Sequence, residues 1–274
     1  MKFLNLLDSL TKVEEAHPLT APTSRRAAFG RVGDIAIDLA KVATPFAMAA
    51  AIPTTASAQG TTRTPIEVFN FALLLEYLED EFYKRGLAAN GLLTGDTRAT
   101  IQQIGQHESQ HVAFLRKAIS DNGGTPMAAP SANFFDFTAD GTFSDVFSNR
   151  ETFLAVAQAF EDTGVRAYKG QAGFLLGTGA LLTAALQIHS VEARHAAKIR
   201  EIRGEQGWIP FQDGVAAGSP TFPVYKGENN VTQLGVNASA QPFSGGATEE
   251  QITEAYDEPL TTAEVTAIAS LFIR

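Results

Sequence analysis

The chain contains no cysteine. Disulfides, thiolate metal sites, iron–sulfur clusters and thiol catalysis are therefore excluded, and any bound metal must be held by Glu, Asp or His. Donors of that kind suit iron, manganese or zinc better than copper(I). Positive charge is also scarce: 21 Lys and Arg against 30 Asp and Glu give a formal net charge of −9. An acidic surface argues against nucleic acid or an anionic membrane as a partner. No apolar run is unbroken for long enough to span a bilayer stably. What is there suits one globular domain with a real core and an appendage: 274 residues, 45% of them hydrophobic.

Residues 1–58 differ in character from the rest. Ser24-Arg25-Arg26 precedes a stretch rich in Ala, Ile, Val and Leu, which closes with Ala56-Ser57-Ala58 before Gln59. The closing residues form the small-x-small pattern that signal peptidase accepts. The arginine pair reads as a twin-arginine export signal, although Phe29 falls one place late and Asp34, Asp38 and Lys41 interrupt the apolar run. The expectation is export to the periplasm or beyond. The competing reading is an amphipathic helix that stays on the mature chain.

Four later segments carry helical periodicity with few breakers: about 64–89, 95–121, 149–176 and 178–203. Thr64 can cap the first, with Pro65 at its first position and Glu67 in its first turn. The first and last pairs are joined by short links and so form antiparallel hairpins, whereas residues 122–148 are long enough to run the length of a bundle. The expected fold is all-α: a four-helix bundle over 59–204 with one long crossover, followed by an irregular extension over 205–274. Trp208, Phe211, Phe222 and Tyr225 are candidate anchors for that extension, and Thr261-Thr262-Ala263-Glu264 marks a short closing helix, about 261–272. Apolar positions in the extension also suit self-association into a homo-oligomer.

The two hairpins repeat each other. Glu76 and Tyr83 lie seven apart and are followed by Lys84; Glu161, Tyr168 and Lys169 keep the same spacing. Seven residues make about two helical turns, so each Glu shares a face with its Tyr. The second helix carries Glu108-x-x-His111, then Ala113, Leu115 and Arg116. The fourth carries Glu192-x-x-His195, then Ala197, Ile199 and Arg200. Each Glu-x-x-His follows its lone Glu at an offset of 32 or 31 residues. One such pair alone carries little weight, but two in a matched frame lie well beyond chance spacing.

Residues three apart on a helix project from one face, so Glu108 with His111, and Glu192 with His195, can reach a common metal. With Glu76 and Glu161 they form a six-ligand set for two divalent ions, whose charge four carboxylates would neutralise. Without cations, four buried glutamates would repel and take up protons. Tyr83 and Tyr168 are read as packing residues or as hydroxyl donors behind the ligands. Glu79, Asp80, Glu81 and Asp162 are expected to be mostly solvated, although Glu79 could reach inward; at its place in the repeat stands Gly164. Arg116 and Arg200 are expected to pair with carboxylates at the bundle end. His107 and His189 lie outside the repeat and are read as ordinary polar residues or as residues placed behind the ligands. Phe69, Phe71, Phe82, Phe114, Phe153 and Phe174 are expected in the core.

Residues 71–79 (FALLLEYLE), Phe160-Glu161-Asp162 and residues 191–197 (VEARHAA) resemble the ferritin-like di-iron superfamily, in particular its exported, desiccation-related branch. The resemblance covers about 64–204 and the closing helix. It implies bridging carboxylates from Glu108 and Glu192 and terminal ones from Glu76 and Glu161. It further implies two Fe or Mn ions and a reaction with peroxide, oxygen or ferrous iron in oxidative or desiccation stress. The absence of cysteine removes the cysteine-bound iron domain of the rubrerythrins. The competing reading is a non-catalytic envelope or self-assembling protein built on the same bundle.

Overall fold

A computed structural model describes residues 63–131, 133–213, 220–233, 235–240 and 246–274. The expected export signal, 1–58, lies outside the described residues. The four expected helices are present: α1 (Pro65–Ala88), α2 (Gly95–Asp121), α3 (Arg150–Ala172) and α4 (Ala180–Arg203). A 3₁₀ turn, Gly173–Leu175, follows α3, so the α-helix ends four residues before the expected boundary. The extension contains α5 (Phe222–Tyr225), a two-stranded antiparallel ribbon of β1 (Thr232–Gln233) and β2 (Val236–Asn237), α6 (Glu249–Thr253) and α7 (Thr262–Ala269). Among the described residues no helix is long and apolar enough to cross a membrane.

Local chemistry sets the helix ends. Thr64 and Glu67 form a reciprocal capping box, as do Thr261 and Glu264, and each satisfies two backbone N–H groups that the helix cannot. Asn149 caps α3 by accepting from Glu151 N at 3.0 Å. Gly204 stops α4 in the left-handed region, at φ 80°.

Helices α1 and α3 are the inner pair. They bury residues on most of their faces, whereas α2 buries one stripe made of Ile101, Ile104, Glu108, Leu115 and Ile119. Phe114 lies off that stripe and is 44% exposed, against the expectation that it is core. Phe71 and Phe174 are half-buried; Phe69, Phe82 and Phe153 are fully inside. The Phe82 ring is the centre of an aromatic cluster, stacked on Phe153 at 4.7 Å and edge-on to Phe160 at 5.0 Å and to Phe137 of the crossover at 5.2 Å. Crossover and closing segment also join by backbone: Asp136 N donates to Phe272 O at 2.8 Å and Arg274 N to Phe134 O at 3.0 Å.

Buried polar groups and an apolar cluster that includes Ile209, Val224, Tyr225 and Leu260 anchor the extension; three of the four expected aromatic side chains do not. Trp208 is 49% exposed, Phe211 is also exposed and Phe222 is half-buried; of the four candidates only Tyr225 is buried. Arg166 of α3 is the main tether. It donates to the carbonyls of Val224, Lys226 and Glu258 and pairs with buried Glu228 at 2.7 Å. Such a pair is costly to break from one side, by about 3–5 kcal/mol. Arg200 joins Asp162 at 2.5 Å and Asp213, and the Tyr225 hydroxyl donates to Asp162 at 2.8 Å. Asp162 is therefore buried and paired, where a solvated residue was expected. Arg116, by contrast, pairs with no carboxylate among the described residues and donates to the Tyr77 hydroxyl and to Met127 O.

Gly170 sets how closely the extension can approach. A Cβ there would lie 1.9 Å from the Leu260 carbonyl oxygen, and a backbone atom cannot step aside cheaply. Gly170→Ala should cost about 1–3 kcal/mol by overpacking. Thermal melts should fall by several degrees, with faster proteolysis between 205 and 260 than in the bundle helices.

Candidate metal centre

Each inner helix contributes one glutamate to the middle of the bundle, and each outer helix contributes a Glu and a His one turn apart. All four glutamates, Glu76, Glu108, Glu161 and Glu192, are 0% exposed. The structure brings all six expected residues together as two groups, Glu76, Glu108, His111 and Glu192, and Glu108, Glu161, Glu192 and His195. Within each group one potential ligand atom per residue lies within 4.8 Å of the others. Glu108 and Glu192 belong to both groups. Each group could hold a metal ion.

Both histidines present Nδ1 to the carboxylates. His111 Nδ1 lies 3.0 Å from Glu108 Oε2, 3.2 Å from Glu76 Oε2 and 3.2 Å from Glu192 Oε1. His195 Nδ1 lies 2.9 Å from Glu108 Oε1 and 3.1 Å from Glu161 Oε2. The contacts to Glu192 Oε1 and Glu108 Oε1 are close but not aimed as hydrogen bonds. Among the described residues, those two atoms and Glu192 Oε2 are buried without a hydrogen-bond partner. Buried polar atoms are nearly always satisfied, and three orphan oxygens on the two shared carboxylates fit a place built for cations.

The tyrosines cross between the repeats. Tyr83 donates to Glu161 Oε1, and Tyr168 to Glu76 Oε1 at 2.5 Å. Each terminal carboxylate thus has one oxygen held from behind by the other hairpin's tyrosine, while its Oε2 faces a histidine. This follows from antiparallel inner helices: seven residues past one glutamate is level with the other.

The electrostatics show what the cluster costs without cations. Burial pushes Glu76 up to about 7, with Glu108 adding to the shift and His111 opposing it. Burial and the surrounding carboxylates hold Glu192 and Glu79 well above the usual range. Burial acts the same way on Glu108, but the hydrogen bond from His111 and the charges of His111 and His195 outweigh it and bring Glu108 down to about 2. Burial disfavours the charged form of both histidines, yet the carboxylates raise His111 strongly and His195 to about 11. Two imidazolium Nδ1–H groups therefore supply the countercharge in the metal-free chain.

Three neighbours are less visible in sequence. Glu79 is buried, 3% exposed, as its spacing from Glu76 allowed, and Asp80 is buried too, accepting from Ser109 and from Lys84; solvation was expected for Asp80. Glu81 is half-buried and bonded to Arg85 at 2.8 Å. His107 Nδ1 lies 2.9 Å from His195 Nε2, so it fixes which ring nitrogen His195 turns to the carboxylates. The available signal was its position one turn before His111, on the same face. His189 is half-buried beside Val165 and away from this cluster.

Four buried carboxylates from four helices, two paired with histidines three residues on, define a bundle of ferritin-like type. Residues 64–205, just over half of the chain, match the ferritin-like domain family, and the chain belongs to it. It matches no curated protein and no solved structure.

These shifts fix the pH response of the metal-free chain. Glu76, Glu79 and Glu192 have folded values above the unfolded 4.5, and His111 and His195 have folded values above 6.5. Each group stabilises the fold below its unfolded value and loses that contribution as pH rises toward its folded one. Glu108 acts oppositely, but only as pH falls from 4.5 towards about 2. Melting temperature without metal should therefore fall steadily from pH 5 to pH 8. With Mn²⁺ or Fe²⁺ present the fall should flatten or reverse.

Proposed function

We propose that this chain is a di-metal carboxylate oxidoreductase, holding two iron or manganese ions and acting on peroxide, oxygen or ferrous iron. The carrying observation is the set of unpartnered oxygens on Glu108 and Glu192 at the junction of the two four-residue groups. In this reading Glu108 and Glu192 are shared by both ions, Glu76 and His111 complete one position, and Glu161 and His195 complete the other. Ions held there would supply reversible electron transfer to a small oxidant.

The protein's own part is positional. Tyr83 and Tyr168 hold the terminal carboxylates by one oxygen and leave the other free to bind. His107 keeps His195 Nδ1 turned inward. The inner helices exclude water, which strengthens every charge interaction inside. Both histidines must lose their Nδ1 protons to become ligands, so loading releases protons and tightens as pH rises.

We further propose that the protein works outside the cytoplasm, in protection against oxidative or desiccation stress. Support for export comes from Ser24-Arg25-Arg26 and Ala56-Ser57-Ala58. A twin-arginine route carries folded proteins, which would allow loading before export.

Metal content by mass spectrometry on natively purified protein tests the central reading. About two Fe or Mn per chain are expected, and both should be lost in the Glu108→Ala, Glu192→Ala double variant. Peroxide or oxygen should then change the absorption spectrum of the loaded protein only. A wild-type protein without metal, and without stabilisation on adding either ion, would leave a structural bundle.

A further inference from the structure

The two hairpins differ in what meets their repeated cations. In the second hairpin it is the chain's own extension. Arg200 meets Asp213, Lys169 donates to the Asp257 carbonyl oxygen, and a Cβ on Gly207 would lie 3.7 Å from the Ala197 Cβ. The repeat places Arg116, Lys84 and Ala113 at the same positions of the first hairpin. There the three line an open cavity of about 540 Å³, together with Asp80, Ser109 and Lys117. A second cavity, of about 410 Å³, adjoins it and shares Lys84 and Ser109, so the groove is elongated. Its charge is opposite to that of the chain. Three cations, Lys84, Arg116 and Lys117, and one carboxylate, Asp80, line it, whereas the chain carries a formal −9. Asp80 is already engaged by Ser109 and Lys84. Lys117 pairs with Asp121 on the exposed surface, a weak contact that a ligand can displace. Arg116 is exposed and uses only Nη1, toward the Tyr77 hydroxyl and Met127 O. Among the described residues its Nε and Nη2 have no partner.

We propose that this groove docks an extended acidic peptide segment of a partner protein, whose carboxylate takes on Arg116 the place that Asp213 takes on Arg200. The second hairpin shows the mode: a side-chain carboxylate reaches the arginine and a backbone carbonyl reaches the lysine. A guanidinium fork offers a carboxylate two parallel hydrogen bonds. A basic peptide would be repelled by the three cations, and an apolar one would leave Arg116 Nε and Nη2 unpaired. An elongated groove suits an extended segment better than a compact ion, and acidic segments are recognised by basic clusters in this way. None of the lining residues belongs to either four-residue group of the metal centre. The docking site therefore stands or falls independently of the redox reading.

The test uses the full chain and a short fluorescein-labelled peptide of alternating glutamate and glycine, followed by fluorescence anisotropy at low salt, where exposed charges are least screened. Binding should be saturable. The peptide should also shield Lys84 and Lys117 from acetylation while Lys198 of α4, exposed like them, stays reactive. Arg116→Gln should weaken binding about tenfold, the effect of one charge-assisted hydrogen bond. Lys117→Glu, at an exposed position, should weaken it by a similar factor and answers the question if Arg116→Gln does not fold. Lys198→Gln should leave binding unchanged. No saturable binding, or equal binding by wild type and either groove variant, overturns the proposal. Displacement of the peptide by inorganic phosphate or glutarate at comparable concentration would make the groove a small-anion site and also overturn it. Equal shielding of Lys198 would show attraction to any surface cation, with the same consequence.

Discussion

The rest of the structure depends on the need for countercharge around four glutamates buried in one bundle. Bringing carboxylates together in a low-dielectric interior is unfavourable unless protons or cations compensate. The metal-free chain manages with two imidazolium groups and with protons on the most crowded carboxylates, and among the described residues still leaves three buried oxygens without a hydrogen bond. A bundle selected only for stability would place leucines there, as the same helices do at Leu73, one turn from Glu76, and at Leu115, two turns from Glu108. An arrangement that is unfavourable alone and balanced by two divalent ions is a device for holding them.

Around this cluster the chain is nearly two-fold symmetric, with a few departures. The Tyr83–Glu161 and Tyr168–Glu76 bonds are symmetric partners. The two arginines have diverged: Arg116 meets a tyrosine hydroxyl, whereas Arg200 meets Asp162 and the extension's Asp213. His107 backs only His195. Gly164, Gly170 and Arg166 all lie on α3, where one gives space to the acid cluster and the others admit the extension. The extension is thus a working part of the bundle, covering the inner helices whose glutamates must stay dry.

Much of this was legible in the sequence because it is local. Helix ends at Thr64–Pro65 and Gly204 follow from capping chemistry that acts over three or four residues. The six ligand candidates follow from helical periodicity applied twice to one pattern. What was not legible depends on segments that meet only in the fold. Asp162 reads as a surface acid until Arg200, Tyr225 and Asp213 arrive beside it. Phe114 reads as core because periodicity cannot say which face of an outer helix stays uncovered. Trp208 is the extension's largest side chain, yet Arg166 anchors that segment through carbonyls that no side-chain pattern encodes. The crossing of the tyrosines requires knowing that α1 and α3 run antiparallel at matching heights.

The most direct measurement is anomalous diffraction from crystals soaked in Mn²⁺ or Fe²⁺. The account predicts two peaks about 3.5–4 Å apart, both between Glu108 and Glu192, one beside His111 and one beside His195. Peaks only at the protein surface, or none, would contradict it and leave the buried glutamates without an explanation.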